Sequence, residues 1–85
     1  GGEEFAIILP HAAGPAARQL AERIRRRLAE RARHPERPFA EPVTVTVGIA
    51  TYPKEADDAE SLVGLADERL YEGKHAGRDR VVGGR

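Results

Sequence analysis

The balance between strands and helices is the feature that most constrains this fold, because two amphipathic helices accompany only two convincing strands. Phe5 to Leu9 is a short apolar run between Gly-Gly and a proline, which predicts a buried strand. Val43 to Ala50 alternates β-branched residues and predicts the strongest strand. Two helices need a sheet of several strands to cover their apolar stripes. The sequence therefore looks like the second half of an α/β or α+β domain.

The predicted helices follow the two strands, and Val81 and Val82 form a last short strand. Pro15 to Ala32 is a predicted helix that begins with a proline suited to its first position. In the second helix, Asp57 and Glu60 have the form of an N-terminal capping pair, and Gly77 suits the left-handed C′ position. A proline-containing loop is predicted from Arg33 to Pro42. The apolar stripes comprise Ala17, Leu20, Ala21, Ile24 and Leu28, and then Ala59, Leu62, Val63, Ala66 and Leu70.

Composition narrows the function classes. The 85 residues allow one small domain, and the absence of cysteine excludes disulfides and thiolate metal sites. Lysine plus arginine equals aspartate plus glutamate, 14 each, which argues against nucleic acid held by bulk charge. No apolar run approaches the roughly 20 residues of a membrane span, and the N-terminus does not have the form of a signal peptide. Because methionine is also absent, we expect that the sequence begins inside a longer product.

The segment from Gly1 to Phe5 is the densest candidate for chemistry. Its two glycines let the backbone approach a ligand closely, and two carboxylates follow at once. Mg²⁺ prefers oxygen ligands shared between carboxylates and phosphates. On an extended segment Glu3 and Glu4 point to opposite sides, so only one of them easily faces a given metal. From the residues alone, a hairpin tip with two solvated acids is the favoured interpretation.

Lys74 and Arg78 are the second candidate, since a spacing of four places both on one helix face, where they can grip phosphate oxygens. The alternative, favoured on spacing alone, is that they complement the negative C-terminal end of the helix dipole. The Arg25-Arg26-Arg27 run is interpreted as a solvated helix face. Surface or capping roles are expected for the remaining titratable candidates, which are His11, His34, His75, Asp57, Asp58, Asp67 and Glu68.

Four blocks in order make the chain resemble the diguanylate cyclase, or GGDEF, domain family. GGEEF is followed by AIILP, then by LAERIRRRL, then by VTVTVGIATYP. The last block, LADERLYEGKHAGRDRVV, is similar to the family's ADxALYxAKxxGRNxV ending. Arg69 and Gly73 stand where the family usually has alanine, and Asp79 stands where it has asparagine. The resemblance covers essentially all 85 residues.

This resemblance implies an α+β fold, the C-terminal half of a polymerase-palm-like GGDEF domain. Its antiparallel sheet would be flanked by helices, with GGEEF at the tip of a hairpin. Residues 1–85 would be a partial domain that lacks its N-terminal half. In the intact homodimeric parent, two domains would each bind GTP with Mg²⁺ or Mn²⁺. They would condense the two nucleotides to cyclic di-GMP and release pyrophosphate.

The resemblance also implies roles for individual residues. Glu3 would be a metal ligand and Glu4 the adjacent acid needed for activity. Gly1 and Gly2 would let the backbone lie against the ribose and phosphates of GTP. Lys74 and Arg78 would hold the triphosphate tail of GTP. Arg23 would contact inhibitory cyclic di-GMP.

The absent half would carry another metal-binding aspartate, the guanine-reading residues and the RxxD inhibitory site. We therefore expect that the 85 residues alone make no cyclic di-GMP. Two other hypotheses remain: a degenerate, non-catalytic module that binds GTP or cyclic di-GMP, and a partly folded truncation without activity. A cytoplasmic location is expected, with an upstream sensor or regulatory domain and a parent that can be tethered to a membrane.

Overall fold

The computed structural model describes residues 2–32 and 44–85, which form three strands and two long helices. The alternation of strand and helix predicted from the sequence is confirmed. The predicted burial of the strand from Phe5 to Leu9 is wrong, because this strand lies at the edge of the sheet, and Phe5 and Ile8 keep 50% and 43% of their surface exposed. The predicted loop from Arg33 to Pro42 and the ligand contact of Gly1 lie outside the described residues. In chain order the elements are β1 (Gly2–Pro10), a 3-10 turn (His11–Ala13), α1 (Gly14–Ala32), β2 (Thr44–Tyr52), α2 (Ala59–His75) and β3 (Arg80–Val82).

The sheet is parallel throughout, so the predicted antiparallel sheet is wrong. Its strand order is β1-β2-β3, and β2 pairs in parallel with both neighbours. The reason lies in the connections, because a helix between two strands returns the chain to the end where it started. The expected position of GGEEF at a hairpin tip stays a prediction. Gly2, Glu3 and Glu4 belong to β1, opposite Thr44, Val45 and Thr46. The described residues thus form an α+β structure with a three-stranded parallel sheet and two helices.

The central strand β2 is covered on both faces, with residues 45–51 all buried. Val45, Val47 and Ile49 face α1 and form one apolar cluster with Ala21 and Val81. Ala50 on the other face forms a second cluster with residues of α2, namely Leu62 and Ala66. A strand buried on both sides carries an apolar sequence on both of its faces, with small residues where a helix comes close.

Gly48 is the point where α2 comes closest to the sheet. A Cβ at this position would lie 2.4 Å from the carbonyl oxygen of Ala66 and 2.5 Å from the amide nitrogen of Leu70. Both atoms belong to the backbone of α2 and cannot rotate away. The absence of a side chain at Gly48 therefore admits the backbone of α2.

The apolar stripe of α1 is only partly covered by the sheet. Ala21 is buried, but Leu20 and Ile24 keep 56% and 47% of their surface exposed. An apolar cavity of about 290 Å³ lies between this helix and the sheet, lined by Phe5, Ile7, Ala21, Ile24, Val45 and Val47. Three strands thus cover α1 less completely than α2.

The N-terminus of α2 is capped by Asp58, one residue later than the predicted Asp57. The carboxylate of Asp58 accepts a hydrogen bond from the backbone N–H of Ser61 at 2.8 Å. This hydrogen bond stabilises the charged form and lowers the pKa of Asp58. A carboxylate here also meets the positive end of the helix dipole.

Arg69 ties α2 to the carboxyl end of β2. Its guanidinium donates to the carbonyl oxygen of Ile49 at 2.7 Å and forms a bidentate ion pair with Glu55. Glu55 also accepts hydrogen bonds from the backbone N–H and the hydroxyl of Thr51. The hydrogen bonds from Arg69, followed by those from Thr51, lower the pKa of Glu55 from 4.5 to about 2. The larger side chain in place of the family's usual alanine is therefore accommodated by an ion pair.

Within residues 2–32 and 44–85, neither helix has the length and apolar character needed to cross a bilayer.

We predict that Gly48→Ala destabilises the chain by about 1–3 kcal/mol, because the new methyl group collides with the backbone of α2. Gly64→Ala is the matched control, since a Cβ there meets nothing within 4 Å and alanine favours a helix. This control should gain about 0.5–1 kcal/mol. Urea unfolding followed by circular dichroism measures both changes. Equal stability of Gly48→Ala and wild type would contradict the close approach of α2.

The Glu55 ion pair predicts a pH dependence of stability. The pKa of Glu55 is lowered on folding, so its contribution is complete above the ordinary pKa of 4.5. It is lost as the pH falls through that value towards about 2. Thermal unfolding of Glu55→Gln should therefore show a smaller decrease in Tm over this interval than wild type. Glu30→Gln, which removes an exposed carboxylate of α1, should follow wild type. Identical pH profiles for Glu55→Gln and wild type would rule out this role.

Candidate functional site

Glu4, Lys74 and Arg78 come together at the amino-terminal end of the sheet, on the face that α2 covers. The Lys74 Nζ lies 3.4 Å from the Oε2 of Glu4, and the Arg78 Nε lies 3.8 Å from the same oxygen. The side chains of Glu4 and Lys74 keep about a third of their surface exposed, and that of Arg78 keeps 55%. Two cations thus surround one carboxylate and remain open to solvent.

Glu3 lies apart from this group, because successive side chains of a strand point to opposite faces. Glu3 pairs with Val45, whose side chain packs towards α1, whereas Glu4 pairs with Thr46 on the α2 side. The prediction that the two acids face opposite sides is therefore confirmed. Only Glu4 shares a face with Lys74 and Arg78.

Arg78 reaches Glu4 from a turn and not from the helix, which corrects the expected four-residue spacing on one helix face. α2 ends at His75, and Gly77 follows with φ 118°. The Arg78 N–H donates to the carbonyl oxygen of Gly73 at 2.8 Å, and the Gly77 N–H donates to that of Lys74 at 3.4 Å. These two bonds form a Schellman motif, and they confirm Gly77 as the C′ residue.

The turn continues in an unusual conformation. Arg78 has φ 61° and Asp79 has φ 50°, the left-handed region that residues with a side chain rarely occupy. The Asp79 N–H donates to the hydroxyl oxygen of Thr46 at 3.0 Å. This bond fastens the turn to β2 directly opposite Glu4 in the strand register.

Arg25 is a residue of this region that the sequence interpretation missed. Its guanidinium lies 3.3 Å from the carboxylate of Asp79 and 3.2 Å from that of Glu22, and 24% of its side chain is exposed. The hydrogen bond to Glu22, then that to Asp79, raises the pKa of Arg25 against the effect of burial. Arg26 is 67% exposed and behaves as the solvated face expected for the whole run. In the sequence nothing distinguishes the two arginines.

The remaining predicted residues lie elsewhere. Arg23 is exposed on α1, on the opposite side of the sheet from Glu4, where a shallow cavity of about 300 Å³ is lined by Leu20, Arg23, Ile24, Arg27, Leu28 and Arg31. The His11 ring lies 3.3 Å from the hydroxyl of Thr51, and the His75 ring contacts that of Tyr71 in a tilted arrangement, with 3.9 Å between the ring centroids. Neither contact brings a histidine into the group around Glu4, and His34 lies outside the described residues.

The carboxylate oxygens of this region are suitable ligands for a hard cation, but they are few. In the described part of the chain, no group of three or more histidine, aspartate or glutamate side chains could hold a metal ion. Glu3 and Glu4 offer carboxylate oxygens of the type that Mg²⁺ takes. Glu4 is already neutralised by Lys74 and Arg78, so Glu3 is the freer of the two donors.

Comparison with protein families identifies the chain. The model for "Diguanylate cyclase, GGDEF domain" matches residues 1–80, which include β1, both helices and the turn that carries Arg78. The chain belongs to the GGDEF family. The GGDEF domain described above therefore has its signature glutamates in β1 and its terminal motif in α2 and the following turn.

Individual relatives agree with this assignment. Diguanylate cyclase VdcA of Vibrio cholerae is 42% identical over 83 residues, which cover 96% of this chain and 24% of the relative. Diguanylate cyclase A of Treponema denticola is 38% identical, with coverages of 96% and 22%. Response regulator PleD of Caulobacter vibrioides is 37% identical, with coverages of 98% and 18%. The chain thus spans about a quarter or less of these relatives. No solved structure is significantly similar to it.

We predict that Gly77→Ala destabilises the GGDEF domain by about 1–2 kcal/mol, because a side chain disfavours the left-handed conformation. The new Cβ would also lie 3.1 Å from the guanidinium of Arg80. Ala76→Gly is the control, since its φ of −84° suits any residue. The control should lower stability by less than about 1 kcal/mol. Equal Tm values for the two variants would show that the turn after α2 does not need glycine.

Proposed function

We propose that Glu4, Lys74 and Arg78 form the triphosphate-binding end of a diguanylate cyclase active site. In the intact parent, two such domains would each hold one GTP and condense the pair to cyclic di-GMP and pyrophosphate. The observation that carries this proposal is the convergence of Lys74 and Arg78 on the signature acid Glu4. Membership of the GGDEF family supports the reaction class.

The two cations would hold the phosphates of GTP. Lys74 offers a mobile point charge, and the guanidinium of Arg78 offers several donors in a fixed plane. Their pairing with Glu4 keeps both side chains directed at one place before the nucleotide arrives. Nucleotidyl transfer depends on positioning and charge neutralisation more than on covalent chemistry from the protein. Charge-assisted contacts from Lys74 and Arg78 would therefore position the triphosphate and neutralise part of its charge.

Glu3 would be the carboxylate of this chain that holds Mg²⁺ or Mn²⁺. When bound, the metal would neutralise charge on the phosphates and favour ionisation of the attacking hydroxyl. Glu3 is exposed at the start of β1, with the glycine backbone of Gly2 beside it. Glu4 would act from the other face by orienting the two cations. The two neighbouring acids thus have separate tasks because the strand directs them to opposite sides.

The reaction also implies partners. Each 3′-hydroxyl would attack the α-phosphate of the nucleotide held by the other domain, so the active parent would be a homodimer. Arg23, on the far side of the sheet, would be available for an inhibitory cyclic di-GMP contact. The similarity to a relative named as a response regulator supports an upstream regulatory domain in the parent.

We predict that Lys74→Met and Arg78→Met each weaken binding of inorganic tripolyphosphate by about three- to tenfold, since each removes one partly exposed charge-assisted contact. Lys54→Met is the matched control, because this exposed lysine lies beyond the carboxyl end of β2, at the opposite end of the sheet. Isothermal titration calorimetry in low salt without metal measures all three. Unchanged binding by both variants would refute the proposed site.

Glu4→Gln should act in the opposite direction in the same titration. In this variant the phosphate no longer has to displace a carboxylate from Lys74 and Arg78. Metal-free tripolyphosphate should therefore bind more tightly than to wild type. Weaker binding would show that Glu4 does not compete with phosphate.

In the dimeric parent, turnover of Mg²⁺–GTP should be lost in Glu4→Gln. A parent that binds GTP but forms no cyclic di-GMP would favour the non-catalytic binding module instead.

A further inference from the structure

The turn after α2 places two consecutive residues with side chains in the left-handed region, Arg78 and Asp79. Such a conformation persists only where the surroundings hold it. The Schellman bond from Arg78 to Gly73 fixes the start of the turn. The bond from the Asp79 N–H to Thr46 fixes its backbone to β2. Both of these bonds use the backbone of the turn and leave the Asp79 side chain free for a further contact.

The carboxylate of Asp79 is held from the other side of the sheet. Arg25 belongs to α1, which packs on the face opposite α2, and its Nη1 lies 3.3 Å from the Oδ1 of Asp79. Glu22, one turn earlier in α1, lies 3.2 Å from the Nη2 of Arg25 and fixes its direction. The chain from Glu22 through Arg25 to Asp79 thus links α1 to the turn that carries Arg78.

The burial of part of the Arg25 side chain is energetically unfavourable. Its Nε is buried and has no hydrogen-bond partner among the described residues. An unpaired buried donor is unfavourable, so packing alone would favour an apolar side chain at this position. What the guanidinium provides and an apolar residue lacks are the ion pairs with Glu22 and Asp79, and of these the second reaches the turn.

We propose that Arg25 is a positioning residue for the phosphate-binding group. Through Asp79 it holds the turn in its left-handed conformation, and so directs the guanidinium of Arg78 to the place where Lys74 and Glu4 meet. This inference rests on the proposed function, because it assigns Arg78 to the nucleotide phosphates. Arg25 itself does not touch the nucleotide.

Aspartate is suited to both halves of this arrangement. Its short polar side chain tolerates the left-handed region better than most residues do. Its charge provides the acceptor for Arg25. Asp79→Asn retains the first property and weakens the second, so it separates the ion pair from the backbone preference. Asp79→Ala removes both.

The test compares Arg25→Met with Arg26→Met, a neighbouring arginine whose carboxylate partner, Glu22, is 3.9 Å away. Backbone three-bond couplings and amide shifts of Arg78 and Asp79, measured by NMR, report the conformation of the turn. Titration with inorganic tripolyphosphate reports the phosphate site. We expect Arg25→Met to lose the left-handed signature and to weaken binding by about tenfold or less, no more than Arg78→Met does. Arg26→Met should match wild type in both readouts.

Arg25→Lys, which keeps the charge, should recover part of the binding, and Asp79→Asn should lie between wild type and Asp79→Ala. If Arg25→Met does not fold, Asp79→Asn carries the test, because it weakens the ion pair and keeps the backbone preference. Unchanged couplings at positions 78 and 79 in Arg25→Met, or unchanged couplings together with unchanged tripolyphosphate binding in Asp79→Asn, would overturn the inference. The proposed function fails separately, if Arg78→Met binds tripolyphosphate as wild type does. In that case the couplings still decide whether Arg25 orders the turn.

Discussion

The close packing of α2 against β2 is the constraint on which the rest of the structure depends. It exists because Gly48 and Gly73 present no side chain where the helix and the strand meet. A Cβ at Gly48 would enter the backbone of α2, and one at Gly73 would lie 2.8 Å from the methyl group of Thr46. With the helix this close, its last turn ends beside Thr46, and Lys74 comes within 3.4 Å of Glu4. The packing of two glycines thus sets the position of the charged group.

The electrostatics at the end of α2 explain why a phosphate site there would need two cations. The C-terminal end of a helix carries partial negative charge and repels an anion. Lys74 in the last turn and Arg78 after it reverse the local sign, and Glu4 balances them. A triphosphate would bind here by replacing or joining that carboxylate. Phosphate sites at a helix N-terminus use backbone N–H groups instead. Under the proposed function, phosphate binding at this end of α2 would therefore depend on side chains and on the turn that positions them.

Much of this could be predicted from the sequence, and the failures have physical causes. Periodicity identified both helices and β2, and the glycine at position 77 correctly marked the end of α2. The antiparallel sheet was wrong because it came from the resemblance, whereas helical connections between successive strands favour parallel pairing. Placing Arg78 on the helix was wrong because Gly77 already ends it. Arg25 was missed because its partner, Asp79, lies 54 positions away along the chain.

The central claim is that one triphosphate is held by Lys74 and Arg78 beside the signature acid Glu4. The most direct test is a crystal structure of the chain with Mg²⁺ and a GTP analogue that carries a methylene group between its α- and β-phosphorus atoms. The account predicts phosphate oxygens within about 3.2 Å of both the Lys74 Nζ and the Arg78 guanidinium. A triphosphate bound elsewhere would contradict it, for instance in the cavity of about 530 Å³ that Arg69, Arg80 and Arg85 help to line.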